Sequence, residues 1–242
     1  MSRMLIEMRQ GLTIALLLMA AGCDHQSTSA QATANSSEFP KADRPVAAIV
    51  SSRWSTEEER DRLREADRVM DMAQITSGMT VADIGAGEGY YTVRLAARVG
   101  AKGRVLAQDI IAEFRNTLAA RVERERLDNV SVKLGLPADP KLPANSFDRI
   151  LLVHMYHEIA DPYEFLWRLR PSLRRGGRVV IVDANRKTNE HGTPPALLEC
   201  ELKAVGYAQI ETQKMLQAGS YLAIFEARGP APAPRRIKPC KG

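Results

Sequence analysis

The stretch VADIGAGEGYYT, residues 81–92, decides the fold. Its first residues belong to a short apolar run, TVADIG at 80–85, which is typical of a buried strand, and three glycines follow at every second position. The two tyrosines then open a segment with helical spacing of apolar residues, YYTVRLAARVG at 90–100. A strand, a glycine-rich turn and a helix predict the first unit of an α/β fold whose backbone can approach a ligand closely.

Strand-like and helix-like segments alternate along the rest of the chain, which indicates a parallel sheet with helices on both faces. The short stretch QAGS joins the last two strand-like segments, so they predict an antiparallel hairpin. We therefore expect a Rossmann-like, doubly wound α/β sheet of seven strands, mostly parallel, that ends in a β-hairpin. The expected strands are 80–85, 103–110, 130–135, 147–155, 178–184, 208–216 and 220–228, and the expected helices are 55–74, 90–100, 112–127, 161–177 and 194–207.

The spacing of the glycines distinguishes between two kinds of nucleotide ligand. The dinucleotide fingerprint requires a glycine three positions after its second one, and this chain has Tyr90 there. A turn that binds pyrophosphate offers free N–H groups away from acids, whereas Asp83 and Glu88 favour a ligand with an ammonium group and a positive sulfur. Asp109 ends the second expected strand, where a carboxylate can accept hydrogen bonds from ribose hydroxyls.

Five segments in this order resemble the motifs of class I S-adenosylmethionine-dependent methyltransferases over about residues 78–228, namely VADIGAGEGYYT, GRVLAQD, PANSFDRILLVHMYHEI, LRPSLRRGGRVVIVD and LKAVGY…YLAIFEAR. The YHEI segment looks like that of bacterial small-molecule methyltransferases. The resemblance implies S-adenosyl-L-methionine as cofactor. Leu136 departs from the pattern, because many relatives have an acid there that contacts adenine; Asp139 or a backbone carbonyl are the alternatives. The residues implied to bind the donor are Asp83, Gly85, Ala86, Gly87, Gly89, Tyr90, Asp109 and Ile110.

The carboxyl end of the fourth expected strand reads VHMYHEI and supplies the candidate catalytic residues His154, Tyr156, His157 and Glu158. Transfer of an activated methyl group requires a positioned acceptor and, for some acceptors, removal of a proton. An imidazole, with an ordinary pKa near ~6.5, can take that proton at neutral pH. The alternatives are that His157 and Glu158 cap a helix and that Tyr156 is a core ring. His191, after the fifth strand, either closes over the acceptor or is solvated.

The composition limits the possible partners. The 242 residues are 45% hydrophobic, which suffices for one packed domain with tails. The net charge is +5, but RRIKPCKG at the C-terminus holds four positive residues, so the body is close to neutral. With few aromatic residues as well, no nucleic-acid partner is expected. The three cysteines form no disulfide framework, Cys240 is expected to be exposed, and the four histidines have no zinc-binding spacing, so no metal site is predicted.

The N-terminal segment looks like that of an exported lipoprotein. Two arginines precede the uncharged run GLTIALLLMAAG at 11–22, whose length suits an export signal and not a stable membrane span. The small residues before Cys23 resemble a bacterial lipobox, after which that cysteine would carry lipid. We expect a lipid-anchored protein of the bacterial cell envelope that faces the periplasm. The alternatives are an apolar helix with an accidental cysteine, or translation from Met19, which would leave the protein in the cytoplasm.

Composition also sets the expected organisation of the chain. Residues 1–22 form the signal peptide. Residues 23–45 are rich in Ser, Thr, Ala and Gln and predict a flexible tether. Residues 46–228 form the methyltransferase domain, and residues 229–242 predict a disordered, Pro-rich basic tail.

Together these features favour an S-adenosylmethionine-dependent methyltransferase that acts on a small-molecule or lipid-like acceptor. The alternative is a membrane-tethered binding protein that kept the fold and lost catalysis, because an exported protein would face a compartment not known to hold the donor. The intact glycine turn favours the enzyme. No motif identifies the acceptor.

Overall fold

The computed structural model describes residues 38–49, 56–215 and 219–242. The expected signal peptide at 1–22, the lipidation site Cys23 and most of the expected tether lie outside these ranges. Among the described residues, none of the helices combines the length and the apolar character that crossing a membrane requires.

Seven strands of the described chain form one sheet. They are β1 (Thr80–Ile84), β2 (Arg104–Asp109), β3 (Val130–Leu134), β4 (Phe147–Val153), β5 (Leu173–Ala184), β6 (Tyr207–Lys214) and β7 (Ser220–Ala227). Their order across the sheet is β3-β2-β1-β4-β5-β7-β6. Strands β1 to β5 are parallel, and β7 pairs antiparallel with both β5 and β6. The expected Rossmann-like sheet with a hairpin at its end is confirmed.

The order of the strands reverses at β1. Val81 pairs with Val105 of β2 on one side and with Arg149 of β4 on the other, so the chain leaves β1 in one direction and later returns beside it. The carboxyl ends of β1, β2 and β4 therefore border a crevice, and in open α/β sheets this is where ligands bind.

The sheet separates two layers of core, and alternation along each strand fills both. In β4, Ile150 and Leu152 pack on one face while Leu151 packs on the other. In β5, Val179 contributes to the first layer and Val180 to the second. Side chains of successive strand residues point to opposite faces, so these apolar runs require cover on both sides, which the helices supply.

Six helices of the described chain cover the sheet. They are α1 (Glu57–Arg62), α2 (Glu65–Met72), α3 (Tyr90–Val99), α4 (Ala112–Arg124), α5 (Pro162–Leu169) and α6 (Pro195–Ala204). Two of the expected helices differ most from their expected bounds. The helix expected at 55–74 is broken at Arg64, whose φ of 51° is left-handed, and the break turns Glu65 into the domain. The helix expected at 161–177 ends at Leu169, because Pro171 has no N–H to continue it.

The C-terminal residues 229–242, expected to be a disordered tail, instead pack against the domain. Cys240 is buried and forms a disulfide with Cys200 in α6, with a Cα–Cα distance of 6.1 Å. The backbone N–H of Cys240 donates to the Tyr163 hydroxyl at 2.6 Å, and Ile237 joins the core. The expectations of a disordered tail and an exposed Cys240 are corrected, because one covalent bond and apolar burial outweigh a Pro-rich composition.

The last part of the expected tether is also packed. Phe39 is buried and meets the Trp167 ring edge to face at 5.6 Å. Arg44 is buried against Glu201, and the Gly242 N–H donates to the Asp43 carbonyl at 3.0 Å. The ordered domain therefore includes residues 38–45, ahead of the boundary expected at residue 46.

Candidate functional site

A cavity of about 1000 Å³ lies at the carboxyl ends of the parallel strands. Residues at the ends of β1, β2, β4 and β5 and in the segments that follow them line most of it, and α1 and the start of α2 line much of the remainder. Its walls thus come from the crevice that the reversal of strand order creates. The expected site residues that line it are Asp83, Gly85, Ala86, Gly87, Tyr90, Asp109, Ile110, His154, His157 and Glu158.

The glycine turn combines two different requirements for glycine. Gly87, at φ 52°, would carry its Cβ into open space, so the turn keeps backbone exposed to the cavity. Gly89, at φ 92°, would place a Cβ 2.4 Å from a methyl carbon of buried Leu118 in α4. Gly89 does not line the cavity. The expected donor contact at Gly89 is therefore corrected, since this glycine serves the close packing of α4 on the turn.

Asp109 connects the turns that follow β1 and β2. One of its carboxylate oxygens accepts from the Gly87 N–H at 2.9 Å, and the other accepts from the Ile111 N–H at 2.9 Å. A carboxylate offers about four lone-pair sites, so each oxygen can accept one more hydrogen bond. Asp109 can thus hold the turn and a ligand hydroxyl together.

Asp83 lies at the end of β1, buried beneath the turn. Its carboxylate accepts from the Thr92 hydroxyl at 2.6 Å. Burial raises the pKa of Asp83 to about 6, although the hydrogen bond from Thr92 acts in the opposite direction. A carboxyl group with this pKa changes charge close to neutral pH, which suits a position beside a cationic ligand.

Helix α1 closes over the glycine turn through ion pairs. Glu57 binds Arg121 of α4 at 2.6 Å and Arg94 of α3 at 3.1 Å. Arg121 also donates to the Glu88 carbonyl at 3.0 Å. A hydrogen bond from Arg121 lowers the pKa of Glu57 against the opposing effect of burial. These contacts fix α1 as one wall of the cavity.

Tyr90 lies at the start of α3, between two guanidinium groups. The central carbon of Arg60 and that of Arg94 each lie 3.8 Å from the centroid of its ring, and its hydroxyl donates to Asp61 at 3.0 Å. Cation–π contacts of this kind hold the ring against the cavity. Tyr90 thus lines the cavity, and its contact with the donor stays a prediction.

Glu65 and His154 form a polar pair that also lines the cavity. The His154 Nε2 atom lies 3.7 Å from a Glu65 carboxylate oxygen, and the side chain of His154 is 38% exposed. Burial alone would raise the pKa of Glu65, but the nearby His154 side chain and the hydrogen bonds from Arg60 lower it to about 2. Glu65 is therefore a carboxylate at neutral pH. The sequence did not single it out, because it appeared as one more acid on a solvated helix.

His157 belongs to a second polar pair. It is buried, and its Nδ1 lies 2.9 Å from an oxygen of Asp183, the penultimate residue of β5. Asp183 also accepts from the Thr193 hydroxyl at 2.7 Å and from the Ala184 N–H at 2.8 Å. His191 meets the His157 ring edge to face at 5.5 Å. Asp183 was missed because its sequence context is that of an ordinary buried strand.

Tyr156, one of the expected catalytic residues, lies away from the cavity. It is fully buried in the core, does not line the cavity, and donates its hydroxyl to Glu201 at 2.7 Å. The short 3-10 turn Tyr156–Glu158 explains the correction. Successive residues of such a turn point in different directions, so Tyr156 faces inward while His157 and Glu158 reach the cavity.

The side of the cavity next to β2 does not contain Asp139, one of the two expected contacts to adenine. Asp139 pairs with Lys141 at 3.1 Å and does not line the cavity, while Pro137 and Phe114 do. The Gln108 Nε2 atom is buried at this side and makes no hydrogen bond within the described part of the chain. An amide donor of this kind can bind a nitrogen or oxygen acceptor of a ligand.

Residues 82–181 match the family described as "Methyltransferase domain". The matched range begins within β1 and ends within β5. It therefore contains the glycine turn, Asp109 and the residues after β4.

Similar curated proteins are methyltransferases with different substrates. The nocamycin O-methyltransferase of Saccharothrix syringae is 39% identical over 83 residues, which are 34% of this chain and 30% of that protein. The ubiquinone/menaquinone biosynthesis C-methyltransferase UbiE of Hahella chejuensis is 29% identical over 127 residues, which are 50% of this chain and 49% of that protein. The chain thus spans about half the length of these relatives, or less.

Among solved structures, an S-adenosylmethionine-dependent methyltransferase from Aquifex aeolicus has a TM-score of 0.62 and 23% sequence identity, covering 71% of this chain and 98% of that one. At this identity, the likeness shows that the fold is shared. Methyltransferases with this fold use S-adenosylmethionine as the methyl donor. The matched domain family, the curated relatives and the solved structure are all described as methyltransferases.

Proposed function

We propose that the chain is an active methyltransferase that transfers the methyl group of S-adenosylmethionine to a small-molecule or lipid-like acceptor. The observation that carries this proposal is the hydrogen bond between Asp109 and the Gly87 N–H, which joins the glycine turn to a carboxylate at the edge of the cavity. This arrangement suits ribose hydroxyls better than a pyrophosphate, whose charge the carboxylates would repel.

The donor side of the cavity fits S-adenosylmethionine. Gly87 keeps backbone open to the cavity, Asp83 offers a buried carboxyl to an amino group, and Gln108 offers a buried amide donor. When bound, the donor supplies a methyl group that its positive sulfur has already activated. Asp83 and Asp109 would hold it, and Tyr90 would exclude water from its side.

The acceptor side offers a base. His154 reaches the cavity and has Glu65 beside it at 3.7 Å. The carboxylate of Glu65 favours the tautomer with its proton on Nε2, so His154 would take a proton from the acceptor at its other ring nitrogen, Nδ1, and Glu65 would stabilise the imidazolium that forms. In the same way, the carboxylate of a Ser–His–Asp triad orients the histidine that acts as the base.

Binding of the product analogue tests the proposal directly. Calorimetry on the purified full-length chain should detect S-adenosylhomocysteine at about one molecule per chain, and NAD should give no heat. Heat with NAD and none with S-adenosylhomocysteine would overturn the assignment. Methyl transfer from labelled donor to a panel of lipid and small-molecule acceptors then distinguishes an enzyme from a binding protein.

Donor binding is expected to weaken as the pH falls through about 6. Only ionised Asp83 attracts the amino group, and with a pKa of about 6 roughly a tenth of the molecules carry that charge at pH ~5. The Kd for S-adenosylhomocysteine should therefore rise about tenfold between pH ~7.5 and pH ~5. Calorimetry at both pH values measures this change in Kd, and the Kd of the Asp83→Asn variant should not depend on pH in this range.

Because folding raises the pKa of Asp83 above its ordinary 3.8, the contribution of Asp83 to the stability of the fold should decrease as the pH rises from about 4 to about 6.

We further propose that the protein is lipid-anchored at Cys23 and faces the periplasm. Two independent features support this location. The run before Cys23 has the charge, length and small residues of a lipoprotein signal. The disulfide Cys200–Cys240 suits an oxidising compartment, whereas cytosolic thiols are kept reduced.

The anchor is tested by labelling cells with a radioactive fatty acid. We expect label on the native chain and none on the Cys23→Ala variant, while the Cys200→Ser variant, which keeps Cys23, stays labelled. Label on Cys23→Ala, or no label on the native chain, would contradict the lipid anchor and favour the cytoplasmic alternative.

A further inference from the structure

Two loops bring a group of potential metal ligands together on the wall of the cavity. His157 and Glu158 follow β4, and His191 follows β5. A ring nitrogen of each histidine and a carboxylate oxygen of Glu158 all lie within 4.8 Å of one another. The sequence alone predicted no metal site, because these residues have no zinc-binding spacing along the chain and meet only through the pairing of β4 with β5.

The contact with Asp183 orients His157 as a ligand. Asp183 is fully buried and lies 2.9 Å from His157 Nδ1. A carboxylate at this distance holds the proton on Nδ1, so the lone pair of the neutral imidazole is on Nε2. Metal-binding histidines commonly donate their other N–H to a carboxylate in this way. The observation is independent of the clustering of the three side chains.

The loop that carries His191 is fixed at both ends. The Ala184 carbonyl, at the end of β5, accepts from the Arg186 N–H at 2.9 Å and from the Thr193 N–H at 2.8 Å. A Cβ at Gly192 would lie 2.4 Å from the same carbonyl oxygen, so only glycine allows this close return. The loop therefore holds His191 against His157, with ring centroids 5.5 Å apart.

Two imidazoles and one carboxylate form a recognised ligand set for first-row transition metals. Zn²⁺ accepts three protein ligands of these types and leaves a fourth position for water or substrate. Harder ions such as Mg²⁺ prefer oxygen ligands alone. The three ligand atoms lie within 4.8 Å of one another. Bonds to Zn²⁺ of about 2.0–2.2 Å require these atoms to lie closer together than that distance, and rotation of the side chains can bring them there.

We propose that His157, Glu158 and His191 bind one divalent first-row cation, preferably Zn²⁺, with an open coordination position toward the cavity. Asp183 is the positioning residue for His157. Binding of the ion is independent of the methyltransferase activity. Its role, to hold an acceptor through an oxygen or sulfur atom opposite the donor side, rests on the proposed function.

Metal titration of the full-length chain tests the proposal. After treatment with a chelator and dialysis, calorimetry should detect one Zn²⁺ per chain, and Co²⁺ should produce the visible absorption of a site with nitrogen and oxygen ligands. Glu158→Gln and His191→Ala should each weaken Zn²⁺ binding at least ~100-fold, and Asp183→Asn should weaken it about 10–100-fold. Neither titration needs the methyl donor, so failure of the proposed enzyme activity would leave them unchanged.

His154→Ala is the matched control, because His154 lines the same cavity outside the cluster. Its Zn²⁺ affinity should equal that of the native chain. Circular dichroism identifies variants that fail to fold, and His191→Gln replaces His191→Ala if that variant does so. Native protein that binds no Zn²⁺, or a folded His157→Ala/His191→Ala double variant that binds it as tightly as the native chain, would overturn the site.

Discussion

The Asp109→Ala variant is expected to bind S-adenosylhomocysteine at least ~100-fold more weakly than the native chain. Asp109 accepts hydrogen bonds from Gly87 and Ile111 and has lone pairs left for a ribose. The substitution removes the ligand contact and releases the turn that shapes the cavity. Hydrogen bonds to a charged group contribute about 1.5–3 kcal/mol each, so the loss of one or two accounts for this factor. Calorimetry measures the change.

Asp148→Ala is the control for this experiment. The carboxylate of Asp148 also accepts from a backbone N–H, that of Thr80 at 2.7 Å, and pairs with Arg174 at 3.0 Å. It lies near the amino end of β4, away from the cavity. We expect affinity for S-adenosylhomocysteine to stay within about threefold of native. If both variants bind equally well, the assignment of Asp109 to the donor is wrong.

The Arg44→Met variant is expected to lower the free energy of unfolding by about 3–5 kcal/mol. The side chains of Arg44 and Glu201 are both fully buried, with Nε and a carboxylate oxygen 2.8 Å apart. Arg44 also donates to the Ile159 carbonyl at 3.2 Å. Removal of the arginine leaves the carboxylate of Glu201 buried with the Tyr156 hydroxyl as its remaining hydrogen-bond donor among the described residues. Urea unfolding followed by circular dichroism measures the loss.

An exposed ion pair nearby supplies the comparison. Lys41 binds Asp161 at 2.6 Å, but the lysine side chain is 73% exposed. We expect Lys41→Met to cost less than about 1 kcal/mol, because water and salt screen such a pair. The Arg44→Met/Glu201→Met double variant should recover part of the loss, since no charge stays unpaired. If Arg44→Met and Lys41→Met lowered the free energy of unfolding equally, burial would not determine how much the Arg44–Glu201 pair contributes to stability.

The sequence predicted the sheet, and it located the residues of the glycine turn and the acid that line the cavity, because these features depend on local patterns. The apolar run at 80–85, the spacing of the glycines and the acid at position 109 lie within single strand–turn–helix units. The helix break at Arg64 and the helix end at Leu169 were harder to predict from the sequence. The first is a left-handed residue in an otherwise helical pattern, and the second depends on a proline two positions later.

The sequence located the proposed acceptor side of the cavity only in part, since this wall depends on contacts between distant residues. His154, His157 and Glu158 were found from one segment, but Tyr156 in the same segment points into the core. Glu65 and Asp183 acquire their roles only when α2 and β5 reach the cavity. Likewise, the pairing of Cys200 with Cys240 requires the chain to fold back over α6, which no spacing rule anticipates.

The contact of the N-terminal segment with the site has a practical consequence for any shortened form of the protein. The Ala47 N–H donates to the His157 carbonyl at 3.2 Å, and the Pro45 carbonyl accepts from the Thr188 hydroxyl at 2.6 Å. This segment thus braces both loops that bear the cavity's histidines. A fragment that begins after residue 45 would keep the Ala47 contact but lose Pro45 together with buried Arg44 and Phe39, so the shortest fragment worth purifying starts upstream of Phe39.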